Sequence, residues 1–260
     1  MKLTTPLHST EQGESIGTQI SGNFLEINSL EEQDYARREA LNSLRTNLQF
    51  CGDDKKVIML TSCTPNEGKS TITLELARSF CEAGKRVILL DADLRKSVLV
   101  GRHHMVAKGG AIKGLSHLLS GQAELADVLY QTNVEGLYMI LTGPVAPNPT
   151  ELLGKEYFQS LIKILREYFD IVLLDCPPLG SVIDAAVIAP NCDGSVLVVE
   201  SRAISYRFLQ DVKKQLEITG CPILGVVLNK VKVEKGGRYG GYYGKYGKYG
   251  KYEKYEKYGE

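Results

Sequence analysis

The sequence predicts an α/β protein with a doubly wound, mostly parallel sheet, followed by a disordered, tyrosine-rich C-terminal tail. Three observations carry this. Short apolar runs rich in β-branched residues recur along the chain, each of a length suited to a strand buried on both faces. Helical stretches lie between them, the alternation that right-handed βαβ units produce. From Gly236 onward the chain offers no aliphatic residue for a core and repeats Gly, Lys and Tyr instead, a composition that stays disordered.

The elements follow in order. Residues 1–28 are polar and low in periodicity, and are expected to form a mobile arm. Ser29-Leu-Glu-Glu32 has the form of a capping box and opens a helix expected over 29–50. Tyr35, Leu41, Leu44 and Leu48 share one face of it, leaving Arg37, Arg38, Asn42 and Arg45 on others. The strands expected next are Val57–Leu60, Arg86–Asp91, Ile171–Asp175, Ser195–Glu200 and Ile223–Leu228. Helices are expected over Ser70–Ala83, Glu151–Tyr168 and Ile204–Thr219. Residues 1–231 then form one domain and 232–260 the tail, with the ligand beyond the carboxyl ends of the strands.

Composition narrows the function. The 260 residues carry 31 Lys+Arg against 31 Asp+Glu, a net charge of zero, which speaks against a protein built chiefly to hold nucleic acid. The balance is uneven. Residues 232–260 hold eight positive and four negative side chains, so a body of net charge −4 carries a tail of +4. Six scattered cysteines without CxxC spacing fit reduced thiols in a cytoplasm. No apolar run approaches the ~18 residues that cross a bilayer, and the opening MKLTTPLHSTEQGES lacks a secretory apolar stretch. The expectation is a soluble intracellular protein that meets membranes through a partner. His103 and His104, with no third ligand at a recognisable spacing, read as two solvated loop histidines rather than a metal site.

The chemistry begins after the first expected strand, at Thr61-Ser-Cys-Thr-Pro-Asn-Glu-Gly-Lys-Ser-Thr71. Gly68-Lys69-Ser70 is the second half of a Walker A phosphate loop. Gly68 lets the backbone approach phosphates, and amides at the helix start point at the β-phosphate. Lys69 neutralises the β- and γ-phosphates, and Ser70 can ligate Mg²⁺. Cys63 stands where the first glycine of that loop is usual. Two more strand ends carry carboxylates, Asp91-Ala-Asp93-Leu-Arg95 and Asp175-Cys-Pro-Pro178, and a parallel sheet brings both to the edge that carries the loop. Mg²⁺ takes such oxygen ligands and keeps several waters. The set reads as a P-loop NTPase with a deviant Walker A.

These motifs, TSCTPNEGKST, VILLDADLR and DIVLLDCPP, resemble the Walker A, A′ and B motifs of the bacterial tyrosine kinases of capsular and exopolysaccharide synthesis. Gly114-Leu-Ser-His-Leu-Leu-Ser-Gly121, the stretch Thr142–Leu153 and Gly225-Val-Val-Leu-Asn-Lys230 match as well. In that family the first loop glycine is ordinarily missing. The resemblance implies Lys69, Asp91 and Asp93 as catalytic residues, with Asp91 the proton acceptor. It implies ATP contacts from Glu67, Gly68, Lys69, Ser70, Thr71 and, near the base, Asn229. Mg²⁺ would be held by Ser70, Asp93 and Asp175. It further implies a ring-like homo-oligomer, with Glu39 and Arg45 at the interface and Asn42 where the ExxRxxR pattern has its first Arg. A membrane-embedded activator of polysaccharide export, a cognate phosphotyrosine phosphatase and recruitment to the inner face of the plasma membrane are also implied, and no nucleic acid.

The nearest competitor is a Min/Par-type ATPase switch, which shares sheet and loop. Its signature lysine early in the loop is replaced here by Thr64. The tail discriminates further. Tyr239, Tyr242, Tyr243, Tyr246, Tyr249, Tyr252, Tyr255 and Tyr258 are eight of the fourteen tyrosines, spaced by three from Tyr243 onward. A solubilising tail, or a segment that binds nucleic acid by stacking and charge, does not account for its place behind a Walker A′ motif. A kinase's own substrate must be extended and accessible. As a flexible coil the tail reaches ~30 Å, and fully extended roughly 100 Å, enough to enter a neighbouring subunit. The expected activity is tail autophosphorylation in trans.

Overall fold

Residues 23–30, 35–108 and 110–231 are described by a computed structural model. The strands are β1 (Phe24–Ile27), β2 (Val57–Ser62), β3 (Val87–Asp91), β4 (Met105–Lys108), β5 (Leu129–Thr132), β6 (Leu137–Ile140), β7 (Ile171–Asp175), β8 (Gly194–Glu200) and β9 (Ile223–Asn229). The helices are α1 (Tyr35–Phe50), α2 (Lys69–Glu82), α3 (Leu99–Arg102), α4 (Leu115–Leu119), α5 (Leu125–Val128), α6 (Pro149–Leu153), α7 (Glu156–Tyr168), α8 (Asp184–Ile188) and α9 (Tyr206–Ile218). Among the described residues these strands form one sheet, ordered β4-β1-β5-β6-β3-β7-β2-β8-β9. From β6 to β9 every pairing is parallel. The β5–β6 and β1–β4 pairings are antiparallel, so one end of the sheet is mixed.

The inner strands β2, β3, β7 and β8 bury both faces, which is why they read as continuous apolar runs, whereas the edge strand β9 leaves Val226 and Leu228 exposed. Along β2, Val57 and Met59 join one core while Ile58 and Leu60 join the other. Phe158, Leu161 and Leu165 of α7 and Val212 and Leu216 of α9 cover the first face. Leu48 of α1 and Ile72, Leu76 and Phe80 of α2 cover the second. Parallel pairing brings the carboxyl ends of β2, β3 and β7 to one edge, and the register joins them there: Asp91 pairs with Asp175 across β3 and β7, while Leu60 near the end of β2 pairs with Asp175.

Three expectations change. The arm expected over 1–28 ends in a strand: Phe24–Ile27 pairs with β4 and β5, with Leu25 and Ile27 buried. The helix expected over Glu151–Tyr168 is two, because Gly154 closes α6 and Lys155 turns extended (ψ 150°) before α7. His103 is buried rather than solvated. Its ring Nδ1 lies 3.1 Å from the carbonyl of Ser29, and its own carbonyl accepts from the Ser29 amide at 3.1 Å, tying the exit of β1 to α3. Glu32 of the expected capping box lies outside the described residues, as do the eight tail tyrosines, and the described helix begins at Tyr35. No helix among the described residues is long and apolar enough to cross a membrane.

Candidate active site

The phosphate loop joins β2 to α2, and its shape is held by side chains. Glu67 is buried, and its carboxylate accepts from the Thr64 amide at 2.7 Å and from the Glu200 amide at 3.2 Å. The Asn229 amide donates to the Glu67 carbonyl at 2.8 Å, and Lys230 Nζ donates to the Asn66 carbonyl at 2.7 Å. The ends of β8 and β9 therefore clamp the loop. Glu67 and Asn229, both expected as nucleotide contacts, are engaged in shaping the backbone that would hold phosphates.

Two loop residues, Asn66 (φ 69°) and Gly68 (φ 92°), take left-handed backbone, and Cys63 does not. This explains the deviant first half: position 63 has no conformational need for glycine. Burial and the Glu67 carboxylate push the Cys63 thiol up to about 12, so it is an inert packing group. Position 68 is different. A methyl there would stand 2.1 Å from Asn229 Nδ2, on top of the strain that positive φ imposes on any L side chain. Gly68→Ala is expected to weaken Mg·ADP binding more than about tenfold, since ~1–3 kcal/mol of strain falls on the loop. Calorimetric titration of the variant checks it.

Beneath the loop, one ammonium faces three carboxyl groups. Lys69 Nζ lies 2.5 Å from Asp175 Oδ1 and donates to Ser70 Oγ at 3.3 Å. Thr73 Oγ1 is 3.4 Å from the same Asp175 oxygen. Asp91 accepts from the Ser97 hydroxyl and, at 3.3 Å, from the Asp93 amide. Asp93 Oδ1 accepts from the amides of Arg95 (3.3 Å) and Lys96 (3.0 Å), and the Asp93 carbonyl accepts from the Thr142 hydroxyl at 3.1 Å. All four charged groups are buried.

The electrostatics follow from that crowding. Burial, then the Asp175 carboxylate, lifts Asp91 well above the usual carboxylate range, against the opposing Ser97 hydroxyl and Lys69. For Lys69 burial works downward, but Asp175, Asp93 and Asp91 more than reverse it and hold the ammonium above its ordinary value. Ser70, Asp93 and Asp175 offer hard oxygen donors, and one cation cannot balance three carboxyl groups, so the residues fit a divalent Mg²⁺. Among the described residues no group of three acidic, His or Cys side chains is disposed to cage a metal unaided, so phosphate oxygens and waters would complete the shell.

The structure also brings together residues that sequence reasoning did not single out. Arg95 grips Asp184 bidentately, at 2.6 and 3.0 Å, and reaches Thr150 Oγ1 at 3.0 Å, while Thr150 donates to Asp184 Oδ1 at 2.5 Å. This locks the Asp93 turn to α6 and α8. Asp184 is 0% exposed and Arg95 41%. Burial pushes Asp184 up, but the Arg95 and Thr150 hydrogen bonds outweigh it and hold the carboxyl below its usual range. Arg95→Met is expected to cost about 3 kcal/mol, the low end for a broken buried pair because the arginine is partly solvated, or ~6–12 °C in Tm. The sign with pH is fixed. With its partner gone the orphaned Asp184 titrates above its unfolded value, so the Tm gap to wild type is full at neutral pH and narrows as acid neutralises the carboxyl. Melting curves at pH 7 and pH 4.5 test this.

The expected oligomer residues sit on α1. Arg45 Nη1 donates to the Ser79 carbonyl at 2.5 Å and to its hydroxyl at 2.9 Å, inside the same chain. Asn42 accepts from the Ser79 hydroxyl at 3.2 Å and donates to Glu39 at 3.4 Å. Within one chain, then, Arg45 fastens α1 to α2, and Glu39 lies beside it on the exposed side.

A family profile described as "AAA domain" matches residues 55–218. The tyrosine-protein kinase CpsD of Streptococcus pneumoniae is 46% identical over 204 residues, which are 78% of this chain and 88% of that protein. The tyrosine-protein kinase wzc of Salmonella typhimurium is 33% identical over 195 residues, 74% of this chain but 27% of that protein. Among solved structures, the BceF tyrosine kinase domain superimposes with a TM-score of 0.69 at 36% identity, covering 80% of this chain and 83% of that one.

Proposed function

Because this chain belongs to the bacterial protein-tyrosine kinases, we propose that it transfers the γ-phosphate of Mg·ATP to tyrosines of its own C-terminal segment, in trans between subunits. The observation that carries this reading is the buried cluster of Lys69 with Asp91, Asp93 and Asp175 under the phosphate loop. Loop amides and Lys69 bind the phosphates. Ser70, Asp93 and Asp175 would hold Mg²⁺, which would supply positive charge against that developing on the transferred group. A tyrosine hydroxyl forms a bond to the γ-phosphorus as the bond to the ADP oxygen breaks. Asp91, whose raised affinity for protons suits the role, accepts the phenolic proton. The transition state is loose, so positioning and charge outweigh base strength.

Regulation of capsular or exopolysaccharide synthesis follows from the family. The family resemblance supports a membrane-embedded activator of polysaccharide export as the partner of this chain. That activator would recruit this chain to the inner face of the membrane, and a phosphatase would reset the tail. Glu39 and Arg45 would meet a neighbouring copy in a ring, with Arg45 exchanging its Ser79 bonds.

Incubation with Mg·ATP followed by intact mass tests the central claim. A ladder of added phosphates mapping to 232–260 is expected. ADP production with no change in mass would instead fit an assembly ATPase and overturn the proposal.

A further inference from the structure

A groove of about 780 Å³ opens between α1, the first turn of α2 and the end of β9. Its mouth adjoins the phosphate loop at Gly68 and Thr71, and three cations stand around it: Arg37, Arg102 and Lys230. Two of the three are balanced. Arg37 meets Glu75 through two bonds, at 2.9 and 2.7 Å. Lys230 is 2.7 Å from Glu200 and 2.7 Å from the Asn66 carbonyl. Arg102 has no carboxylate within ion-pair distance among the described residues, and its guanidinium donates only to Thr71 Oγ1, at 3.3 Å. A guanidinium has five N–H donors, so most of this one faces the groove unused.

Its backbone is anchored although its side chain is exposed. Arg102 closes α3, with its amide on the Val98 carbonyl at 2.9 Å. Leu99 in the preceding turn and His103 next in sequence are both buried. The helix itself hangs from the carboxylate turn through Ser97, which bonds Asp91. The first turn of α2 faces two ways here. Lys69 turns inward to Asp175, whereas Thr71 turns out to the groove where Arg102 waits. A triphosphate with its γ end over Lys69 would carry its inner phosphates past the first turn of α2, toward Thr71.

We infer that Arg102 is a phosphate-binding residue of this site, its guanidinium contacting the α-phosphate of the bound nucleotide beside Thr71. The inference rests on the nucleotide reading of the loop given above. Charge-assisted bonds from a planar fork to phosphate oxygens are strong and directional. The planar fork is pre-organised, so less side-chain freedom is lost per hydrogen bond formed. Lysine at the same place keeps the charge but not the fork, and should serve less well.

Displacement of a fluorescent ADP from the full-length chain by Mg·ADP, AMP and adenosine tests it. Wild type should bind ADP. Arg102→Ala should weaken ADP and AMP about tenfold each and leave adenosine within twofold, with Arg102→Lys between. The ADP affinity of Arg102→Ala should also depend less steeply on salt. ADP affinity unchanged in the alanine variant, or a loss shared equally by adenosine, overturns the role of Arg102 while the loop stands as the nucleotide site. If wild type fails to bind ADP, the loop reading and this inference fall together. Melting curves that match wild type establish that the variants fold.

Discussion

Lys69→Met should abolish both tail phosphorylation and ATP hydrolysis, by a factor of about 10³ or more, as expected when a preorganised charge aimed at the reacting phosphate is removed. The same substitution has a second effect. The Lys69–Asp175 pair is 7% and 2% exposed at its two side chains, and taking away one member leaves carboxyl groups buried without their counter-ion, a cost of about 3–5 kcal/mol. A lowered Tm is therefore expected alongside lost activity, and the two must be separated. The double variant Lys69→Met with Asp175→Asn removes the orphaned charge and should regain most of the stability while remaining inactive. Phosphotyrosine signal in Lys69→Met within tenfold of wild type would falsify the assignment of Lys69 to the reacting phosphates.

Removing residues 232–260 should eliminate phosphotyrosine completely while ATP turnover persists. The cut is structurally mild. β9 ends at Asn229, and both Asn229 and Lys230, which clamp the phosphate loop, remain in place. Replacing all eight tail tyrosines with phenylalanine tests the same point with the chain length kept, because only the accepting hydroxyls are lost. A synthetic peptide spanning the tail, added to the truncated protein, should then be phosphorylated by it. Phosphotyrosine on the truncated chain at wild-type level would place the acceptors elsewhere. Loss of ATP turnover on truncation would mean the tail contributes to the site and is more than its substrate.

Sequence legibility tracked burial and locality. The five strands expected from apolar runs all exist: in β2, β3, β7 and β8 two-sided burial leaves no alternation to confuse with loop, and β9 keeps an apolar run although it lies at the sheet edge and is partly exposed. The convergence of Asp91 and Asp175 was legible too, since a parallel sheet with both residues at strand ends permits little else. What escaped were short or distant arrangements. β1, β4, β5 and β6 span four residues each, too few for a periodic signal, and they depend on one another for pairing. Arg95 was visible in its motif, but Asp184 lies 89 positions away, and nothing in the sequence joins them. His103 looked like a loop residue because its partner, the Ser29 carbonyl, belongs to the chain leaving a strand that was itself missed. Asn229 and Glu67 were found by motif, yet their bonds to the loop backbone follow only from three-dimensional proximity.

The clamp that β9 places on the phosphate loop has a kinetic consequence. β9 runs parallel to β2 and delivers the chain to the edge that carries the phosphate loop, so the chain passes Lys230, bonded to the loop at Asn66, two residues before the tail begins. Tyr239 then lies within ~28 Å of Val231 even when fully extended. Under the proposed transfer between subunits, the concentration of acceptor at a neighbour's site would be set by how many copies stand side by side rather than by dilution, so assembly would act as the throttle on the reaction.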